Sequence, residues 1–324
     1  MPLDHYISQV HLKKFYSPVL GNRMYAIRKS DLKVFMPRSE DVCRILDGST
    51  NAYLRENRLI EEFLKTIEPN YNLALDRLMR REIDPVCIYT IAGFVAYVTA
   101  CSPAAMRLAS GPLRGVVETT NEMMEAEGEL PPPPAALAGT GLVDLLRRGT
   151  VDIKIDPKYP QAIGINGILK RAALFGNFKW EILRNESRGT PFFTSDFPAA
   201  IQVTDNRWIF NRIVPLAPDL AVRIKPDPNV DRARVDWSFA NFGYGVRNVD
   251  RDEAMKFNRA IVRCAENAVF YRDDHPWVEP FVSKNRHYRI EPLILKRRTR
   301  RGVLQISTHR IVGRPPRTDW PQTG

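Results

Sequence analysis

The chain has 324 residues, 44% of them hydrophobic, including 15 Phe, 11 Tyr and 5 Trp, which suffices for a substantial core in one large or two ordinary domains and excludes a disordered chain. Net charge is +11, but residues 284–324 carry eleven Lys/Arg against Glu291 and Asp319, so +9 belongs to this tail and +2 to residues 1–283. Basicity is thus a property of one segment, and the pI does not make the whole fold a nucleic-acid binder.

Cys43, Cys87, Cys101 and Cys264 form no close pair of the kind a zinc site uses, and read as structural thiols in a reducing compartment. Residues 1–10 lack a basic stretch followed by an apolar run, so no signal peptide is expected. The most apolar run, 86–100, falls short of the roughly 20 residues a membrane span needs and reads as a buried core helix. A cytoplasmic protein without membrane association is the expectation.

In chain order, a short amphipathic helix is expected near residues 8–15, with Ser8 as N-cap and Val10, Leu12 and Phe15 packing inward. Alternation over 24–35 predicts a β-hairpin turning at 28–31. A helix over 54–67 places Ile60, Phe63, Leu64 and Ile67 on one stripe, and Pro69 ends it. Further helices are expected at 73–81 and 85–100, and at 111–127 after a Gly-Pro break. Residues 131–134, four prolines, read as an extended linker or exposed loop, and a short helix follows at 142–148. From Phe178 onward strands dominate, at 178–183, 191–194, 208–214, 220–224 and 234–239. A late helix is predicted at 252–269. Two apolar stretches, 290–295 and 302–306, flank Lys296-Arg-Arg-Thr-Arg-Arg301; the pattern suits a hairpin with a basic tip and equally an unstructured arm.

These elements predict a mixed α+β fold. An α-helical N-terminal half with a small hairpin packs on a β-rich C-terminal half with one late helix. Residues 1–283 are expected to form one domain, α-rich over 1–150 and β-rich over 151–283, followed by a basic tail or hairpin at 284–324.

Five motifs occur in order: His5-Tyr6-Ile7-x-Gln9-x-x-Leu12-x-x-Phe15; Asn57 followed by Glu61 and Ile67-Glu68; Trp180-Glu-Ile-Leu with Pro191-Phe-Phe-Thr-Ser195-Asp196-Phe-Pro198; Pro215-Leu216-Ala-Pro218; and a helix bearing Asn258. Together they resemble the prokaryotic domain-of-unknown-function family four-two-three-eight over residues 4–275. The resemblance implies positions and no reaction. Ser8 stands where the family commonly has proline, and Phe197 where asparagine follows the aspartate. Ala100-Cys101-Ser102-Pro103 replaces a pattern with arginine before Thr-Pro, so a group that arginine supplied is lost or comes from elsewhere, such as Arg107.

Three sets of polar residues carry candidate chemistry, each with a structural alternative. On a helix over 54–67, Asn57, Glu61 and Glu68 fall within roughly 40° of one another and suit a divalent cation, Mg or Mn, which prefers oxygen ligands; the alternative is a boundary face that pairs with arginines. Ser195 and Asp196 end a strand, where Asp196 suits a metal ligand or general base and Ser195 an orienting donor. The alternative is Ser-Asp-x-Pro turn chemistry, the aspartate capping backbone N–H groups. His5, with Gln9 four residues on, suits a proton carrier or metal ligand, against a histidine that ties the N-terminus to the fold. His11, His275, His287 and His309 read as surface residues. There is no Gly-x-Ser-x-Gly elbow, no Cys beside a His and no phosphate loop.

The leading expectation is a metal-assisted hydrolase of phosphodiesters in RNA or DNA. His5 and Asp196 would act on protons, Glu61, Glu68 and Asp196 would hold metal, and Lys296, Arg297, Arg298, Arg300 and Arg301 would grip the polyanion. The alternative is a non-catalytic nucleic-acid- or protein-binding module whose tail carries the affinity.

Overall fold

The computed structural model describes residues 3–133, 135–137, 139–206, 208–299 and 302–313. Arg300 and Arg301 lie outside these residues. In chain order the elements are β1 (Leu3–His5), α1 (Gln9–Leu12), β2 (Tyr25–Arg28), β3 (Val34–Phe35), β4 (Arg44–Leu46), α2 (Leu59–Ile67), α3 (Tyr71–Arg80), α4 (Pro85–Cys101), α5 (Pro103–Ala126), α6 (Leu142–Arg147), α7 (Lys158–Asn166) and α8 (Ile168–Asn177). There follow β5 (Lys179–Asn185), β6 (Thr194–Ser195), β7 (Ala200–Val203), β8 (Phe210–Ala217), β9 (Leu220–Lys225), β10 (Tyr244–Val249), α9 (Arg251–Cys264), β11 (Ala268–Tyr271), α10 (Val278–Asn285), β12 (Tyr288–Thr299) and β13 (Gly302–Gly313). The fold is mixed α+β.

Helix α4 is apolar all round and buried almost throughout, as a helix enclosed by others must be. It packs against α2, α3, α5, α7 and α8. Asp84 caps it by accepting from the Cys87 N–H at 2.8 Å, with Pro85 at the first position. Among the described residues no single helix is long and apolar enough to cross a membrane.

A five-stranded sheet, β10-β5-β9-β8-β7, is antiparallel except for the parallel β10–β5 pair. Its two faces separate by the period of two. Trp180, Ile182, Val214, Val222 and Ile224 join the large core that includes α4, while Leu183, Ile213 and Ala221 meet Phe257 of α9. A second antiparallel sheet, β3-β2-β11-β6, shares the large core, so the two halves of the chain are folded around one interior. All four cysteines are free and buried.

Several boundaries differ from the pattern-based expectation. Helix α2 begins at Leu59, because Asn51 closes a loop with Asn57 (N–H to carbonyl, 2.8 Å) and holds residues 51–57 as turns. Helix α5 runs through Gly111-Pro112 without a break. One ladder hydrogen bond is lost at the proline, but packing on α4, α7 and β12 carries the helix past it. The stretch expected to be β-rich from residue 151 opens with helices α7 and α8, and strands start only at Lys179. Residues 234–239 make no strand, since the Asp236 carboxylate accepts from the N–H groups of Ser238 and Ala240 and curls the segment into turns. The strand forms later, at Tyr244–Val249. The late helix ends at Cys264, and residues 268–271 pair instead as β11.

The tail is a hairpin whose strands have 12 residues each. A lone hairpin is marginal in water, and this one lies on α5. A Cβ at Gly111 would meet Pro292 Cγ at 2.6 Å, and one at Gly115 would meet Gln305 Oε1 at 2.6 Å. These two glycines, one turn apart, let the ribbon approach the helix closely. Substituting Gly111→Val is expected to lower stability by about 1–3 kcal/mol through overpacking, measured by urea denaturation; an unchanged midpoint would show that the ribbon is not seated there.

Candidate functional site

Residues from two of the motifs lie in one buried polar region. Asp196 is 3% exposed. Its Oδ1 accepts from the Glu266 N–H at 2.8 Å, and its Oδ2 from those of Asn267 at 2.6 Å and Ala268 at 3.3 Å. These are the groups that would have continued α9, so the carboxylate ends that helix and sets up β11. Ser195 Oγ accepts from the Phe197 N–H at 3.1 Å. Lys29 clamps the same turn from β2, donating from Nζ to the carbonyls of Ala265 at 2.6 Å and Tyr288 at 2.9 Å. Asn258 of α9 accepts from the Phe193 N–H at 2.9 Å and donates to Pro191 O at 2.8 Å, pairing with the backbone just before β6 as a strand would.

His11, expected at the surface, is fully buried. Its ring nitrogens contact the Tyr71 hydroxyl and Thr194 Oγ1, both at 2.8 Å, so one donates and the other accepts. The ring also stacks on Phe94. A polar residue between Val10 and Leu12 on a four-residue helix gives no periodic signal, which is why its burial was not legible. Ser8 sits at the N-cap position of α1, but its side chain makes no capping bond.

His5 lies on strand β1, with Nδ1 3.1 Å from the Val42 carbonyl. Gln9 is on α1, where its Oε1 accepts from Ser39 Oγ at 3.3 Å. The two therefore do not share a helix face. Burial, more than any nearby charge, lowers the His5 pKa, while Glu68 is close enough to oppose that effect. Asn57 is exposed and off the helix. Glu61 is paired with Arg58, whose Nε donates to Oε2 at 2.8 Å and which also reaches Asp4 at 3.6 Å. Glu68 starts a 3-10 turn beside Pro69. The single oxygen-rich face expected from Asn57, Glu61 and Glu68 does not form, because the helix begins after Asn57 and changes geometry at Glu68. Among the described residues no group of three His, Cys, Asp or Glu side chains is placed to hold a metal ion. Two open clefts, of about 490 and 470 Å³, lie beside Asp274 and His275 and beside Arg184 and Arg188; no proposed catalytic or metal-binding residue lines either.

Lys296, Arg297 and Arg298 are exposed on β12, and Lys296 lies 3.3 Å from Glu118 of α5. Arg107, named from the sequence only as a stand-in for the family's arginine, forms the anchor of the ribbon. It pairs with Glu266 at 2.8 Å and Glu291 at 2.7 Å and donates to Ile290 O at 2.9 Å.

The family model described as Protein of unknown function (DUF4238) matches residues 4–275. The chain belongs to that family. Comparison with curated proteins and with solved structures gives no match. The matched segment ends before β12, so the ribbon lies beyond it.

Burial sets the ionisation of the central groups. It raises the Asp196 pKa to about 6 despite the three backbone donors, and lowers that of His11 to about 3. The two act in opposite directions. A raised carboxyl pKa gives stability that is full below the unfolded value near 3.8 and lost as pH rises through about 6, whereas buried neutral His11 loses stability as pH falls below its unfolded value. Asp196→Asn removes the first effect only. Going from pH 6 to pH 4, the variant should fall behind the parent protein by about 2 kcal/mol, measured by denaturation at each pH; parallel profiles would refute this ionisation.

Proposed function

We propose that this protein binds nucleic acid through the distal part of the β12–β13 ribbon, and that the polar motif residues hold the body that carries this arm. The carrying observation is the contrast along the ribbon. Its base is fixed by Arg107, Glu266 and Glu291 and by the Arg289–Glu266 pair at 3.4 Å. Its distal residues from Leu295 to Thr299 are exposed.

Arg297 and Arg298 are opposite Leu304 and Val303, and adjacent strand positions point to opposite faces. Both faces of the ribbon therefore present a guanidinium. Neither arginine has an ion-pair partner among the described residues. Arg300 and Arg301 add two charges in the intervening sequence. A two-stranded ribbon fits the major groove of duplex DNA, roughly 12 Å wide, and cations on both faces suit the phosphates that line it. Such contacts position the protein without reading sequence.

The hydrolase reading requires carboxylate oxygens free for Mg or Mn. Asp196 has committed its oxygens to backbone N–H groups and Glu61 pairs with Arg58, which weighs toward binding without cleavage. The deciding measurement combines affinity and cleavage of labelled DNA and RNA with Mg²⁺, Mn²⁺ or EDTA. The expected outcome is salt-dependent binding without cleavage. In the Arg297→Ala/Arg298→Ala protein the slope of log affinity against log salt should be smaller by about 2. Metal-dependent cleavage that disappears in Asp196→Asn would instead establish the hydrolase, and unchanged binding by the double variant would reject the ribbon as the contact.

A further inference from the structure

A second cationic locus lies where the body meets the ribbon, away from the distal ribbon residues and built mainly by α8 and β8. Arg171 and Phe175 are one turn apart on α8 and share a face. The guanidinium of Arg212, on β8, sits over the Phe175 ring at 5.7 Å and the Phe210 ring at 5.1 Å. His309, on β13, stacks on Phe210 with centroids 5.5 Å apart. Two arginines and a histidine thus gather around a pair of phenylalanines where helix, sheet and ribbon meet.

The hydrogen bonding of this cluster is incomplete. A guanidinium carries five N–H donors. Arg171 uses one, to Thr99 O at 2.8 Å, and Arg212 one, to Ala199 O at 3.2 Å. Among the described residues neither arginine pairs with a carboxylate. His309 Nδ1 is buried and has no hydrogen-bond partner. Both arginines are partly buried, and burial foremost, with the charge of Arg171 adding to it, lowers the Arg212 pKa to about 10. The ring of His309 is kept neutral, its pKa pushed down to about 3 by burial and by the nearby arginines, so it can present Nδ1 as donor or acceptor.

The geometry points to an anion site formed by Arg171, Arg212 and His309, whose ligand is a phosphate dianion, either inorganic phosphate or the phosphate group of a small metabolite. Two planar forks match the oxygens of one phosphate, and a double negative charge offsets two cations that otherwise share a poorly solvated place. Aromatic faces under Arg212 offset part of that cost but leave its donors unused.

The test is thermal unfolding of the full chain in sodium phosphate, or in a sugar phosphate, against sodium chloride at equal ionic strength. Phosphate should raise the melting temperature as a ligand that binds only the native state does. Arg171→Met and Arg212→Met should each weaken the phosphate effect by about tenfold or more in apparent affinity, while Arg171→Met without phosphate should melt no lower than the parent, since it removes a repulsion. His309→Gln serves as the milder variant should an arginine variant fail to fold, and should also weaken the effect. A stronger response to inorganic phosphate identifies the free ion, and one to the sugar phosphate identifies a phosphorylated metabolite. No phosphate-specific shift in the parent protein, or equal shifts in parent and variants, overturns the site. The Arg297→Ala/Arg298→Ala protein should keep the full response, which separates this locus from the nucleic-acid reading.

Discussion

The carboxylate of Asp196 holds the turn that joins α9, the β3-β2-β11-β6 sheet and the base of the ribbon. By accepting the N–H groups of residues 266–268 it stops α9 and redirects the chain into β11. Strand β11 then pairs with β2 on one side and β6 on the other. Lys29 fastens the same turn and reaches the first residue of β12 through Tyr288 O. A buried charge is tolerated here because its acceptors are filled and an ammonium lies nearby. Without that pair of ties, four segments far apart in sequence would lose their common junction.

The motifs of the family converge on this junction for a structural reason. Asn258 and Thr194 of the motifs, with His11 and Tyr71 beside them, satisfy buried polar groups that would each be costly if left unpaired. His11, Thr194 and Tyr71 bond to one another and Asn258 to the backbone of residues 191 and 193, which leaves little of their hydrogen-bonding capacity for a ligand. Polar residues that recur in a pattern are therefore compatible with a scaffold as readily as with an active site.

The charge of the molecule is arranged differently in its two basic regions. At the base of the ribbon, Arg107 and Arg289 meet Glu266 and Glu291 in a closed network. Farther out, Arg297 and Arg298 stand in solvent. Arg171 and Arg212 are intermediate, partly enclosed yet without carboxylates among the described residues. Since enclosure strengthens electrostatic interactions, it is in this intermediate region that a small anion gains most.

The sequence by itself determined the elements whose pattern is strong: the apolar helix α4, the amphipathic stripe of α2, the 24–35 hairpin and strands β5 and β9; for the tail it left a hairpin and an unstructured arm equally open. It also located the charge asymmetry and the family. Tertiary structure decided what period cannot carry. Pro112 stays inside α5 because neighbours hold the helix together, and residues 268–271 become a strand because a carboxylate some seventy residues earlier takes the N–H groups of residues 266–268 and ends the helix before them. The same holds for the site residues. Whether Asp196, Glu61 and His11 face solvent, a metal or one another depends on partners distant in the chain, and residue spacing along one segment contains no record of those partners.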